Sequence, residues 1–173
     1  MDTWGGFNLT TKKPKKIIED VCEMQLTNSA LREGMARLIE FSRGVKMNPR
    51  HAWTNAFTCT YKGKKVVTYN IHDDVVFITL YIADAADLER IILEQPDGHE
   101  LLMEIMNRNA SHCGGCSPSK IDTCDSAVKL NTTGGKYGFF CSRFNYNCKN
   151  PSPQQFKMIE RFIEIRRNYI AAS

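Results

Sequence analysis

Between Trp53 and Ile82 the chain carries three runs of strand character joined by connections so short that only hairpins can bridge them. Trp53 to Tyr61, Lys64 to Ile71 and Val75 to Ile82 are rich in β-branched and aromatic residues, with Lys62-Gly63 and His72-Asp73 supplying the turns. A parallel pairing would need a crossover of a dozen or more residues, so the runs predict an antiparallel meander. In the first run the period of two puts Trp53, Asn55, Phe57, Cys59 and Tyr61 on one face, and Thr54, Ala56, Thr58 and Thr60 on the other. The third run, VVFITLYI, is apolar at both parities, the pattern of a central or doubly covered strand.

Helical patterns flank this meander. Residues 1–26 read as a polar N-terminal arm. From about Asn28 to Arg43, Leu31, Met35, Leu38 and Ser42 recur at helical spacing with Ile39 widening the stripe, and Gly44 follows as a stop. Asp84 to Glu94 and Asp97 to Asn107 predict two short helices separated at Pro96. Ala127 to Asn131 and Tyr137 to Asn147 predict a further hairpin. After Asn150-Pro151-Ser152-Pro153 a last helix buries Phe156, Ile159, Phe162, Ile163 and Ile170, with Arg161, Arg166 and Arg167 expected outside. The expectation is one α+β domain over residues 1–173: a mainly antiparallel sheet of about five strands, helices packed on it, and a Cys-rich loop near the C-terminal hairpin.

The 173 residues suffice for one core, and 42% hydrophobic against 24% charged residues are ordinary globular proportions. No apolar run is long enough for a secretory leader or a membrane span, which predicts a cytoplasmic protein with no membrane partner. Three glycosylation-type tripeptides, beginning at Asn8, Asn109 and Asn131, carry no weight in that compartment. The net charge of +4 is mild. Lys12, Lys13, Lys15 and Lys16 read as a solvated lead-in to the first helix. With no sustained basic stripe and no recognition motif, nucleic acid is not an expected partner, and steep salt dependence would be the sign of one.

Cysteine is the abnormal residue. Of seven, Cys113, Cys116, Cys124, Cys141 and Cys148 fall within 36 residues, while Cys22 and Cys59 sit in apolar contexts and read as packed thiols. Cys113 and Cys116 form a C-x2-C motif around Gly114-Gly115, whose freedom from Cβ atoms lets the chain turn both sulfurs toward one ion. Clustered thiols in a reducing compartment point to metal before disulfide. Four thiolates at about 2.3 Å make a closed, structural zinc site. The preferred ligands are Cys113, Cys116, Cys124 and Cys141, with His112 and Cys148 as substitutes. The competing reading is a thiol-dependent redox enzyme or sensor using Cys113 and Cys116, although no βαβ context surrounds that pair.

Cys113-x2-Cys116, Cys124, the turn Gly135-Lys136-Tyr137, Cys141, Asn150-Pro151 and the terminal helix, together with the segment Ser42 to Tyr69, resemble a family of small uncharacterised bacterial proteins carrying a C-terminal cysteine cluster. The resemblance spans roughly Asn28 to Asn168. It implies no established activity, and it favours Cys141 over Cys148 as the fourth ligand. The gap before Cys124 is longer here than in the family pattern.

Motifs for nucleotide binding or common hydrolysis are missing: no G-x-G-x-x-G after a strand, no Walker A, no H-E-x-x-H and no G-x-S-x-G. His72-Asp73-Asp74 reads as a polar turn. His51, Trp53, Tyr69 and Tyr81 are candidate ligand-binding residues, since aromatics on one side of the sheet could form a cleft. The sequence therefore leads to a zinc-stabilised module that binds a small molecule or a protein partner.

Overall fold

In the computed structural model, residues 15–82, 92, 94–96, 100–101, 127–131, 137–141 and 145–173 are described, the two segments 127–131 and 137–141 by their backbone alone. They form an α+β fold. Two helices, α1 (Ile18–Gln25) and α2 (Ser29–Gly44), precede strands β1 (Arg50–Trp53), β2 (Ala56–Tyr61), β3 (Lys64–His72) and β4 (Val75–Leu80). Strands β5 (Ala127–Asn131), β6 (Tyr137–Cys141) and β7 (Tyr146–Lys149) follow, then helix α3 (Pro153–Ala172). The main sheet is antiparallel throughout, in the order β1-β2-β3-β4-β7, and β5 and β6 pair separately as a two-stranded sheet.

Three expectations about the elements need correction. The first strand-like run is broken at Thr54-Asn55, where Thr54 takes a positive φ of 37°, so Arg50–Trp53 folds back on β2 as its own strand. The last predicted hairpin is divided, with β7 returning to the main sheet beside β4 while β5 and β6 leave it. The supposed arm contains α1, in which Ile18, Val21 and Cys22 are buried; its single apolar edge is too short to stand out against the surrounding lysines. The helices predicted for 84–94 and 97–107 lie mostly outside the described residues. Ile92, Glu100 and Leu101 are helical, residues 94–96 form a turn, and Ile92 and Leu101 are buried.

Strand parity builds the core. Phe57 and Cys59 of β2, Val67, Tyr69 and Ile71 of β3, Val76, Ile78 and Leu80 of β4, and Tyr146 and Cys148 of β7 are all essentially inaccessible. Their pairings (Phe57 with Tyr69, Tyr69 with Ile78, Ile78 with Cys148) place them on one face, and α2 and α3 pack there. A bulge at Val66 adds one residue to β3, since Cys59 pairs with Val67 but Thr60 with Lys65, and four consecutive residues, Val66 to Tyr69, become buried. β4 is an interior strand between β3 and β7, yet Phe77 on its other side remains 38% exposed, so the doubly apolar pattern reflects a strand covered fully on one face.

α3 begins with a reciprocal capping box in which the Ser152 hydroxyl accepts from the Gln155 N–H and the Gln155 side chain accepts from the Ser152 N–H. Phe156, Ile159, Phe162, Ile163, Ile165 and Ile170 are buried along its inner face, each worth roughly 1.5–3 kcal/mol of transfer free energy. Arg166, expected outside, is 2% exposed, and its guanidinium lies 5.6 Å from the centroid of the Tyr169 ring. Helical periodicity places it beside Ile163 and Ile170 rather than beside Arg167. None of the helices among the described residues is long and apolar enough to cross a membrane.

Two contacts hold the helices to this frame. Gly34 of α2 meets the Phe156 ring so closely that a Cβ built there would come within 2.2 Å of it. The turn between β3 and β4 clasps the link between α1 and α2: Asp74 accepts from the Thr27 hydroxyl and from the Thr27 and Asn28 N–H groups, and its own N–H donates to the Gln25 carbonyl at 2.8 Å. The Thr27 hydroxyl, with the two backbone donors, holds the Asp74 carboxyl below its ordinary value.

Gly34→Ala should therefore destabilise the protein by about 1–3 kcal/mol in urea titration, and a Phe156→Leu background should shrink that penalty. Because the folded pKa of Asp74 is depressed, its contribution is present above the unfolded carboxylate pKa and is lost as pH falls through the folded value. Thermal melts should show Asp74→Ala lowering the Tm at pH 7, with the gap from the parent closing on acidification.

Candidate functional site on the outer face of the sheet

The face turned away from the helices is ordered by the same register, because residues paired across antiparallel strands share a side. One row crosses all five strands through Trp53, Ala56, Asn70, Phe77 and Lys149. The next contains Arg50, Thr58, Thr68, Thr79 and Asn147. Thr60 and Lys65 pair in a third row on the other side of the hydroxyls, close to Tyr81. Trp53 is 51% exposed, and Arg50, Lys65, Asn70 and Lys149 are exposed with it, whereas Ala56 is fully buried between its larger neighbours.

Hydrogen bonds fix the middle of this face, where Thr58 and Thr68 are buried. The Thr58 and Thr68 hydroxyls lie 2.9 Å apart, the Thr68 hydroxyl is 3.1 Å from that of Tyr81, and the Thr79 hydroxyl donates to Asn147 Oδ1 at 2.9 Å. Lys65 Nζ sits 5.5 Å from the centroid of the Tyr81 ring, a cation–π distance that turns this ring into part of a basic patch. The strand positions of the face carry Arg50, Lys65 and Lys149 and no carboxylate. The acidic residues at its end are engaged elsewhere: Asp73 lies 2.6 Å from His72 Nδ1, and Asp74 is held by Thr27 and Asn28.

Of the four ligand-binding candidates, Trp53 and Tyr81 share this face. Tyr69 does not. It is fully buried on the helix side, its hydroxyl 2.7 Å from Ser42 Oγ, and burial, together with the neighbouring Cys59, pushes its pKa well up. His51 pairs with Phe57 at the sheet edge, their ring centroids 5.5 Å apart, and its Nε2 lies 3.0 Å from the Thr54 carbonyl oxygen. A single cleft lined by all four is therefore not formed, because Tyr69 and Tyr81 point through opposite faces of the sheet. Tyr61 also turns to the helix side, where the Arg167 guanidinium lies 5.2 Å from its ring centroid. Phe77, Lys65, Lys149, Arg50 and the threonine row were not singled out from the sequence. Parity within β4 would have separated Phe77 from Val76 and Ile78, but the cross-strand rows need the register.

The thiols divide as sharply. Cys22, Cys59 and Cys148 are buried in the core. Burial pushes the Cys22 thiol up to about 12, with the Glu19 charge adding to the effect. Cys59 also reaches about 12 through burial, against the opposing influence of Tyr69, Ser42 and Arg43, and its thiol donates to the Met47 carbonyl at 3.7 Å. Cys141 closes β6 with its backbone opposite Ala127. His112, Cys113, Cys116 and Cys124 lie outside the described residues, and among the described residues no group of three or more His, Cys, Asp and Glu side chains could hold a metal ion. In comparisons with known proteins, no family model, no curated protein and no solved structure matches the chain.

With a pKa near 12, on the order of one in ten thousand Cys22 and Cys59 thiols is ionised at pH 8. Both should stay unmodified by an aromatic disulfide reagent in native buffer and react at once in denaturant, as read by peptide mass. Tyr69→Phe removes the buried Ser42–Tyr69 hydrogen bond and should lower stability by about 1–2 kcal/mol.

Proposed function

We propose that this chain is a zinc-stabilised binding module whose recognition surface is the outer face of the five-stranded sheet. The observation that carries the metal half of this reading is the sorting of the seven cysteines. Cys148, a substitute ligand on sequence grounds, lies in the apolar layer beneath the helices with Cys22 and Cys59. The preferred set stays Cys113, Cys116, Cys124 and Cys141, with His112 as a substitute, and four thiolates are the number a closed tetrahedral site uses. The donor set suits zinc, which binds thiolate strongly and has no redox chemistry of its own. Bound there, the ion would tie residues 111–125 to β6 and act structurally.

The recognition half rests on Trp53 and Phe77, large apolar side chains left exposed on a face whose polar hydroxyls are already satisfied by one another. Such a face has its hydrogen bonds in place before anything binds. A small molecule or a macromolecular partner laid on it loses little to rearrangement of the protein.

Metal analysis of protein purified under reducing conditions should give one zinc per chain and four thiols that become reactive only after chelation. Metal-free protein with a readily oxidised Cys113/Cys116 pair would replace this reading with the redox one. Hydrogen exchange should show chelation loosening residues 111–141 while β2, β3 and β4 stay protected.

A further inference from the structure

We infer that the outer sheet face binds single-stranded nucleic acid, a proposal that rests on its being the recognition surface and names the class of partner. Three features point the same way. Arg50, Lys65 and Lys149 come from three different strands, are exposed, and have no carboxylate among the strand positions of their face. The charge complement of such a surface is a polyanion.

Aromatic rings interleave with those cations. Trp53 and Phe77 stand in one row three strands apart, about 14 Å at the usual strand spacing, with Lys149 next to Phe77. Tyr81 lies on the far side of the hydroxyl row, under Lys65. Rings held at intervals along a cationic surface are what unpaired bases stack on, while the phosphates between them meet lysine and arginine. A duplex offers its phosphates but not its base faces.

Between the rings the row also carries an exposed amide. Asn70, exposed in the middle of the row, offers a donor and an acceptor to a base edge. The three cations are 15 and 84 residues apart in the chain, which is why no basic stripe is visible until the strands are placed in register.

The test is fluorescence anisotropy of labelled oligo(dT) and oligo(U) of about twelve nucleotides with the zinc-loaded protein. Either strand should bind. With three phosphates neutralised, the slope of log affinity against log salt should be about −2, roughly a fifteen-fold weakening between 50 and 200 mM salt. Trp53→Ala and Phe77→Ala should each weaken binding by about five-fold or more. Lys65→Gln with Lys149→Gln should flatten the salt slope, and Met24→Ala, exposed on α1, should leave binding unchanged. Circular dichroism melts confirm that each variant is folded. No binding at 50 mM salt, equal binding by Trp53→Ala and Phe77→Ala, or tighter binding to a duplex of the same length overturns the proposal. One zinc per chain with four protected thiols in the same preparation would then leave the metal reading standing by itself.

Discussion

Everything described depends on β3 being paired along its length with both β2 and β4. Its register decides, residue by residue, what is buried under the helices and what is turned outward, because a slip of one position would exchange the two faces. Tyr69 shows how firmly this register is held. Its ring fills the core between Phe57 and Ile78 while its hydroxyl meets Ser42 of α2, so sheet pairing, helix position and a buried hydrogen bond are satisfied by one side chain. Displacing β3 would bury the exposed Asn70 and His72 and expose Tyr69 and Ile71.

The helices answer to the same frame. Asp74 belongs to the turn that β3 and β4 require, and it is also the acceptor for the residues just before α2, with Asn28 as that helix's own cap. Gly34 then sets how near α3 can approach through Phe156, and the Arg37–Glu160 ion pair at 2.8 Å bridges the same two helices at the surface. That pair is partly exposed on both sides and contributes little beside the apolar contact.

Much of this was legible in the chain. Local periodicity located α2 and its buried stripe, the turn after Tyr61, the strand cores and the Ser152 start of α3, because each is determined by neighbours within a few positions. Where the sequence misled, a distant partner decided. Thr54-Asn55 reads as strand until β1 is seen to fold back. Tyr146 to Lys149 reads as the continuation of β6 until the free edge of β4 is known. The outer face was the least legible part: its aromatic and cationic residues alternate with core residues in every strand, and only pairing across the sheet assembles them into rows.

β7 closes the main sheet across the longest sequence separation between paired strands. β4 leaves the sheet at Leu80 and its partner Tyr146 lies 66 positions later, whereas β1 to β4 close through turns of two residues. During synthesis the meander and the first two helices emerge long before β7, so the native partners of the β4 edge and of the apolar row of Val76, Ile78 and Leu80 that lie in β7 and α3 arrive last. An unpaired strand edge beside an apolar surface is what other copies of a chain pair with. Any device that draws the intervening segment together shortens that wait, and a site holding Cys113 to Cys141 in one cluster lies within the span to be closed. On the proposed zinc reading, the thiols would matter most to a nascent chain, as an aid to reaching the native state ahead of aggregation.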